Sequence, residues 1–247
     1  MNRQEQILNR VAEAGRIEVS ELSEIFLVSK VTIRKDLDKL EEKGLLKREH
    51  GYAVILQEDS INHRLSIRYD IKKRIAQSAL KLVKDNDTVF IESGSTCALL
   101  AELICQERSN VTIITNSCFI AEFISKYDNG KTILLGGEYQ SVSQVTVGPL
   151  LRHMINYFKV PIAFIGTDGY DSNLGFTNKD LRRTEVVQEM AKCSDSVVIL
   201  TDSSKFSKRG IVVQFQLDEI SQVITDKDIP ESIKKQLEEV AVHVESV

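Results

Sequence analysis

The polar residues best suited to chemistry sit in short corners, each directly behind an apolar run. Glu92-Ser93-Gly94-Ser95-Thr96 follows the run Thr88–Ile91 and leads straight into a helical pattern. Gly94 permits a tight turn there, and Ser95, Thr96 and the free amides of the helix start can receive an anion. Thr115-Asn116-Ser117 is a second corner. Gly136-Gly137 is a third, where the backbone can approach a ligand or another strand closely. Gly166-Thr167-Asp168-Gly169 and Asp202-Ser203-Ser204-Lys205 complete the set. A fixed cation on Lys205, with hydroxyls and helix-start amides opposite, suits a phosphate. One such corner alone is ordinary turn chemistry. Five together, all at the ends of strand-like runs, point to a polar pocket whose candidate lining is Glu92, Gly94, Ser95, Thr96, Thr115, Asn116, Ser117, Gly137, Asp168 and Lys205. Asp168 and Glu92 also admit a general-base role, with Lys205 stabilising an enediolate. An isomerase therefore stands beside a binding domain as an alternative.

The elements that must position these corners are legible as an alternation. Apolar runs at Thr88–Ile91, Val111–Thr115, Thr132–Leu135, Ile162–Ile165, Val197–Leu200 and Gln222–Thr225 are separated by helical patterns at Cys97–Glu107, Ser117–Tyr127, Pro149–Phe158, Asp180–Lys192 and Pro230–Val240. Continuous apolar strands alternating with helices predict a mostly parallel sheet covered on both faces. Ligands of such sheets lie beyond the C-terminal ends of the strands, where the polar corners fall. Arg64–Lys84, with Ile71, Ile75, Ala79, Leu82 and Val83 on one side, predicts a connecting helix, and the polar stretch Gln57–His63 before it a linker.

The first 56 residues carry a different chemistry. In Val28–Leu45, Ser29 is a good N-cap. Ile33, Leu37 and Leu40 share one helix face, and Gly44 supplies the stop. Val31, Thr32, Arg34, Lys35, Asp38 and Lys39 point the other way, a surface able to serve phosphates and base edges. Just upstream, Leu22, Ile25 and Phe26 form a short helix that Ser20 can cap, joined to Ser29 through Leu27-Val28 alone. That is a helix-turn-helix arrangement. Ile7, Leu8 and Val11 supply a first helix ended by Gly15. Leu45–Leu56 reads as two short strands around a glycine turn, a wing with Lys47, Arg48 and His50 near its tip.

Composition sets bounds. At 247 residues there is room for a small and a medium domain, each with its own core. The net charge of −4 gives no hint of a nucleic-acid partner, though the local field matters more than the total. In residues 1–56 ten Lys/Arg offset ten Asp/Glu, so the cations must be sorted onto one face. Cys97, Cys105, Cys118 and Cys193 show neither a CxxC pair nor zinc spacing and read as reduced, small apolar residues of a cytoplasmic protein. No metal or other cofactor is expected. The polar start MNRQEQ argues against a signal peptide, and no apolar run approaches membrane-spanning length.

The stretch SELSEIFLVSKVTIRKDLDKLEEKGLLKREHG resembles the N-terminal signature of the DeoR-type bacterial regulators. Val28, Ser29, Thr32, Ile33, Arg34, Lys35, Asp36, Leu37, Leu40, Glu41, His50 and Gly51 match, and Tyr52 stands where a second glycine is usual. Further matches run through Arg64…Lys72-Lys73-Arg74-Ile75-Ala76, Gly94-Ser95-Thr96, Thr115-Asn116-Ser117, Gly136-Gly137, Gly148, Gly166…Gly169, Gly175 and Asp202–Phe206. The resemblance implies an α/β protein: an N-terminal winged helix-turn-helix followed by a mostly parallel α/β sensor domain similar to ribose-5-phosphate isomerase. The corresponding limits are 1–56 for DNA binding, 57–72 for the linker and start of the connecting helix, and 73–247 for effector binding and oligomerisation. It implies that Thr32, Arg34 and Lys35 face operator DNA; Ser29, Lys30, Val31, Lys39, Arg48 and His50 complete the candidate DNA-binding set. It also implies that Ser95, Thr96 and Lys205 take a phosphate while Asp168 and Asn116 face a polyol. The expected partners are double-stranded operator DNA, a phosphorylated sugar or sugar-alcohol effector, and further copies of the chain as a dimer or tetramer, with no membrane. A protein–protein module using its helix-turn-helix on another protein is a third reading, which strong salt dependence of DNA affinity would exclude.

Overall fold

Two compact units, 1–70 and 71–247, divide the chain in the computed structural model, which describes residues 3–42, 45–54 and 61–247. The expected stop at Gly44, the strand end at Ile55-Leu56 and the first four residues of the expected linker lie outside the described residues.

In the first unit, α1 (Arg3–Ala14), α2 (Val19–Ile25) and α3 (Lys30–Glu42) bring Ile7, Leu8, Val11, Leu22, Ile33, Leu37 and Leu40 into one core. Gly15 ends α1 in the left-handed region at φ 70°. Two local expectations change. Glu18, not Ser20, occupies the N-cap of α2; the Ser20 hydroxyl donates to the Glu18 carboxylate instead (2.6 Å). Ile25 is 43% exposed and Phe26 half-buried, because the apolar face of α2 is built from Val19 and Leu22. A short strand, β1 (Arg16–Glu18), also joins the wing. It pairs with β3 (Tyr52–Val54), which pairs with β2 (Lys47–Glu49), both antiparallel. The wing turn is His50-Gly51, both at positive φ (48° and 89°), the primed geometry that matches strand twist. Tyr52 is a strand residue: its hydroxyl donates to Glu18 (2.8 Å) and the Arg16 guanidinium lies 3.8 Å from its ring centre.

Arg64–Lys84 is not one helix. It divides into α4 (Ile61–Ser66), which begins inside the expected linker, and α5 (Tyr69–Leu80), with Arg68 at φ 53° between them. A left-handed residue stops the hydrogen-bond ladder whatever the apolar pattern around it.

The second unit is built on seven parallel strands. In chain order they are β4 (Thr88–Ile91), β5 (Thr112–Thr115), β6 (Lys131–Leu134), β9 (Val160–Ile165), β12 (Ser194–Leu200), β14 (Gln222–Thr225) and β15 (His243–Ser246). Across the sheet they run β15-β14-β12-β9-β4-β5-β6. Helices α6 (Ser95–Glu107) and α7 (Cys118–Ile124) follow β4 and β5. Helices α8 (Pro149–Ile155), α9 (Leu181–Lys192) and α10 (Glu231–Glu239) contribute Leu151, Ile155, Val186, Val187, Met190 and Leu237 to one core with Phe90, Ala163, Ile165, Val197 and Ile199. Alternate strand residues, among them Val89, Ile91, Phe164, Val198 and Leu200, are buried on the other face.

The edge strand β15 was not among the expected runs, and neither were two further additions. A hairpin of β7 (Glu138–Gln140) and β8 (Val145–Val147) follows β6. A small antiparallel sheet joins β10 (Gly169–Asp171), β11 (Gly175–Asn178) and β13 (Val212–Phe215). From β4 the chain proceeds to β5 and β6 on one side and then returns to β9 on the other. The strand order therefore reverses between β4 and β9, the place where open α/β sheets form a ligand crevice.

Candidate functional site

On α3, Ser29 accepts from the Thr32 amide (3.2 Å) and meets the Thr32 hydroxyl (2.9 Å), so its side chain is engaged in starting the helix. Lys30, Val31, Arg34, Lys35 and Lys39 are exposed, with Val31 at 60%, and Thr32 is half-buried. The apolar spacing thus sorts the cations outward as expected. Arg48 is paired with the Asp38 carboxylate, and its backbone amide donates to Glu41 (3.0 Å), which ties the wing to α3. His50 is exposed at the wing tip. One tie escaped the sequence reading. Asp36 is buried and accepts from Arg3 Nε (2.6 Å) and Gln4 Nε2 (3.1 Å), anchoring α1 to the back of α3.

At the C-terminal edge of the sheet, strand order fixes the sequence of corners as Asp226, Asp202–Lys205, Gly166–Asp168, Glu92–Thr96 and Thr115–Ser117. Glu92 spans the reversal point. Its carboxylate accepts from the Gly94 amide (2.7 Å), the Gly166 amide (3.2 Å) and the Ser93 hydroxyl (2.5 Å). A Cβ on Gly94 would stand 3.1 Å from Glu92 Oε2 and 3.4 Å from the Gly166 Cα, so this clamp requires small residues on both loops. Glu92 is consequently a brace for the crevice, its acceptors spent on the two loops. Gly94 also begins α6, and no side chain caps that helix, whereas Ser117 caps α7 and Asp180 caps α9. Ser95, half-buried, and Thr96, buried, stand in the first turn of α6, where helix-start amides suit an anion.

In the next corner, Thr115 Oγ1 accepts from the Ser117 amide (3.1 Å) and Ser117 Oγ from Ile120 (3.1 Å), so both hydroxyls shape the corner. Asn116 donates through Nδ2 to the Thr146 carbonyl (3.0 Å), and its Oδ1 is buried with no partner among the described residues. Gly137 has a different reason for its size. A Cβ there would lie 2.6 Å from the Val147 carbonyl, so the close approach it permits is to β8.

Asp168 accepts from the Lys179 amide (3.2 Å) and faces Arg183, whose Nη2 is 3.7 Å away; both side chains are 14% exposed. The turn carrying Lys205 is the 3-10 segment Ser203–Lys205. Asp202 caps it through the Ser204 amide (3.1 Å), and Asp226 holds the Ser203 amide (2.6 Å) and hydroxyl (2.8 Å). Phe206 packs edge-on to Tyr170 (5.6 Å) and Phe176 (6.4 Å), and Tyr170 donates its amide to the Lys208 carbonyl (2.8 Å). These contacts hold the Lys205 turn against the strand that begins directly after Asp168. Burial and neighbouring Asp171 push the Tyr170 hydroxyl above its ordinary pKa, and burial does the same to the thiols of Cys105, Cys118 and Cys193. None of the four cysteines is in a disulfide.

Three residues of this region were missed. Asp226 was within reach of the same rule, since it directly follows β14. Arg183 and Gln214 had no comparable signal: one is a cation on a helix and the other a polar residue in a strand-like run. Gln214 is fully buried, donates to the Gly166 carbonyl (2.8 Å) and leaves Oε1 without a partner among the described residues.

Residues 3–59 match the DeoR-like helix-turn-helix domain and residues 67–227 the DeoR C terminal sensor domain. The chain is 30% identical to an L-fucose operon activator of Haemophilus influenzae, over 96% of each protein. It is 28% identical to a glycerol-3-phosphate regulon repressor of Escherichia coli, over 97% of this chain and 96% of that one. Among solved structures, a ribose 5-phosphate isomerase from Methanocaldococcus jannaschii is similar over 57% of this chain and 55% of the isomerase, with a TM-score of 0.42 and 23% identity. No helix among the described residues is long and apolar enough to cross a membrane. With a matching helix-turn-helix model at one end and a matching sensor model over more than half its length, the chain belongs to the DeoR family of DNA-binding transcriptional regulators.

Proposed function

We propose that the protein is a cytoplasmic, homo-oligomeric repressor of a sugar or sugar-alcohol utilisation operon, released from its operator by a phosphorylated sugar. The observation that carries this reading is the crevice between β4 and β9. There the uncapped start of α6, Ser95 and Thr96 stand on one loop and the Lys205 turn is packed against the next. Amides at a helix start and a fixed cation suit a dianion. Asn116 and Asp168 supply acceptors for the hydroxyls of the remaining chain. Arg34 and Lys35, with Thr32, Lys30, Val31 and Lys39, would meet DNA, and His50 would reach phosphate from the wing. Repression is the sign given to one named relative and activation to another, so the sign for this chain belongs to the proposal.

Both carboxylates of the isomerase alternative already have partners in the fold. Glu92 already accepts from two amides and a hydroxyl, and Asp168 is held by Arg183 and the Lys179 amide. The reading is therefore of binding without turnover. Two copies of the module on two half-sites would supply the operator affinity that one lacks. Effector must distinguish two arrangements of those modules, since a ligand shifts only states it tells apart.

A melting-temperature screen of phosphorylated metabolites tests this directly, because a compound that binds only the folded protein must stabilise it. A sugar phosphate should raise the melting temperature of the wild-type chain, and Lys205→Ala should abolish that rise. A stabilising compound that carries no phosphate, acting equally on both proteins, would contradict the proposal.

A further inference from the structure

We infer that Arg183 and Gln214 are specificity residues of the effector crevice, and that they select a neutral, polyhydroxylated end on a phosphorylated ligand. The inference rests on the sugar-phosphate reading above and extends it to the end of the ligand remote from the phosphate. Gln214 is fully buried on β13. Its Nε2 donates to the Gly166 carbonyl, which fixes Oε1 as the free end of the amide, and Oε1 has no partner among the described residues. Asn116, 1% exposed on the far side of β4, repeats the pattern: Nδ2 is spent on Thr146 and Oδ1 is left over. Arg183 Nε is likewise buried and unpartnered, while its Nη2 faces Asp168 at 3.7 Å, too long for a hydrogen bond.

Buried polar atoms cost stability unless something pairs with them, so such atoms around one crevice point to a ligand. Their chemistry says which kind. Gln214 Oε1, Asn116 Oδ1 and Asp168 accept hydrogen bonds, and Arg183 Nε donates one. A hydroxyl both donates and accepts, so a row of hydroxyls satisfies the set. A carboxylate or second phosphate would not. It offers acceptors only, and it would face two amide acceptors and the Asp168 charge, which already balances Arg183. The phosphate end is thereby separated from the polyol end: Ser95, Thr96 and Lys205 at one, Arg183, Gln214, Asn116 and Asp168 at the other.

The test measures binding of the intact protein to inorganic phosphate, fructose 6-phosphate, sorbitol 6-phosphate, 6-phosphogluconate and fructose 1,6-bisphosphate by isothermal calorimetry. The same panel is run on Arg183→Lys, which keeps the charge beside Asp168 and removes Nε, and on Gln214→Leu. For wild type, a neutral monophosphate should bind more tightly than inorganic phosphate, 6-phosphogluconate or the bisphosphate. Each variant should lose roughly 10- to 100-fold toward that monophosphate, the scale of one hydrogen bond left unmade in a buried site, with inorganic phosphate affected far less. Preference of the wild type for the aldonate or the bisphosphate overturns the inference, as does equal weakening of sugar phosphate and inorganic phosphate in Arg183→Lys. If the wild type binds none of the five, the sugar-phosphate reading itself fails. If it binds them and Arg183→Lys binds them equally well, only the present inference fails.

Discussion

Arg34 and Lys35 stand exposed on α3, while Leu37 and Leu40 on the same helix are buried, so recognition and folding are separable there residue by residue. Arg34→Ala should weaken operator binding by about 1–3 kcal/mol and relax sequence discrimination if it reads a base. Lys35→Ala should weaken specific and non-specific DNA alike, with a smaller salt slope. Binding titrations at two salt concentrations check both, and unchanged affinity in both variants would remove α3 as the reading helix. Ser29 differs in kind. Its hydroxyl caps α3, so Ser29→Ala should cost about 0.5–2 kcal/mol of stability, read from denaturant unfolding. Beside the wing, hydrogen bonds from Ser20 and Tyr52 hold the Glu18 carboxyl below its ordinary pKa of 4.5, and the same bond to Glu18 raises the Tyr52 hydroxyl. A carboxyl depressed on folding adds stability that is present above its unfolded pKa and lost as pH falls through its folded value. Tyr52→Phe should therefore move Glu18 upward toward 4.5 in an NMR titration and shrink that acid-side dependence. An unmoved Glu18 would contradict the pairing.

Among the elements, the loop after β4 and the end of β9 are joined through one carboxylate, so the crevice is braced before any ligand arrives. Glu92→Ala would strip the acceptor from the amides of half-buried Gly94 and Gly166, a loss of up to about 1–3 kcal/mol for each group left unsatisfied. Thermal unfolding should show that loss together with a weaker effector response, and a variant as stable as wild type would mean the brace is idle. The inner strands β4, β5, β9, β12 and β14 were legible because each carries an apolar run buried on both faces, with a polar corner at its end. The corners were legible for the same reason. What each side chain does within them was not: Ser117 turns out to cap α7, Thr115 to support that cap and Glu92 to brace two loops. Residue type alone does not distinguish an acceptor spent on a backbone amide from one left open. β15 and the β10-β11-β13 sheet escaped because His243–Ser246 is a polar edge strand and Gly169–Asn178 reads as turn-rich. Arg183 and Gln214 escaped because their importance lies in unpaired atoms, which exist only once the chain has folded. The break at Arg68 was hidden for a related reason, since the apolar period continues on both sides of it.

At the scale of the whole molecule, one unit is proposed to read DNA and the other to sense metabolite and to assemble copies of the chain. The first unit extends through α4, whose Ile61 and Leu65 are fully buried. A fragment of residues 1–70 should fold yet bind operator far more weakly than the intact chain, because one module contacts one half-site. Equal affinity would show that the second unit is not the assembling element. The claim that ties the units together is that phosphate, held at the start of α6 and by Lys205, is what releases DNA. The most direct measurement titrates a matched pair, sorbitol and sorbitol 6-phosphate or fructose and fructose 6-phosphate, into a preformed protein–operator complex and follows its dissociation. The phosphorylated member of the effective pair should release the operator and its parent sugar should not. Release by the parent at the same concentration would contradict the account.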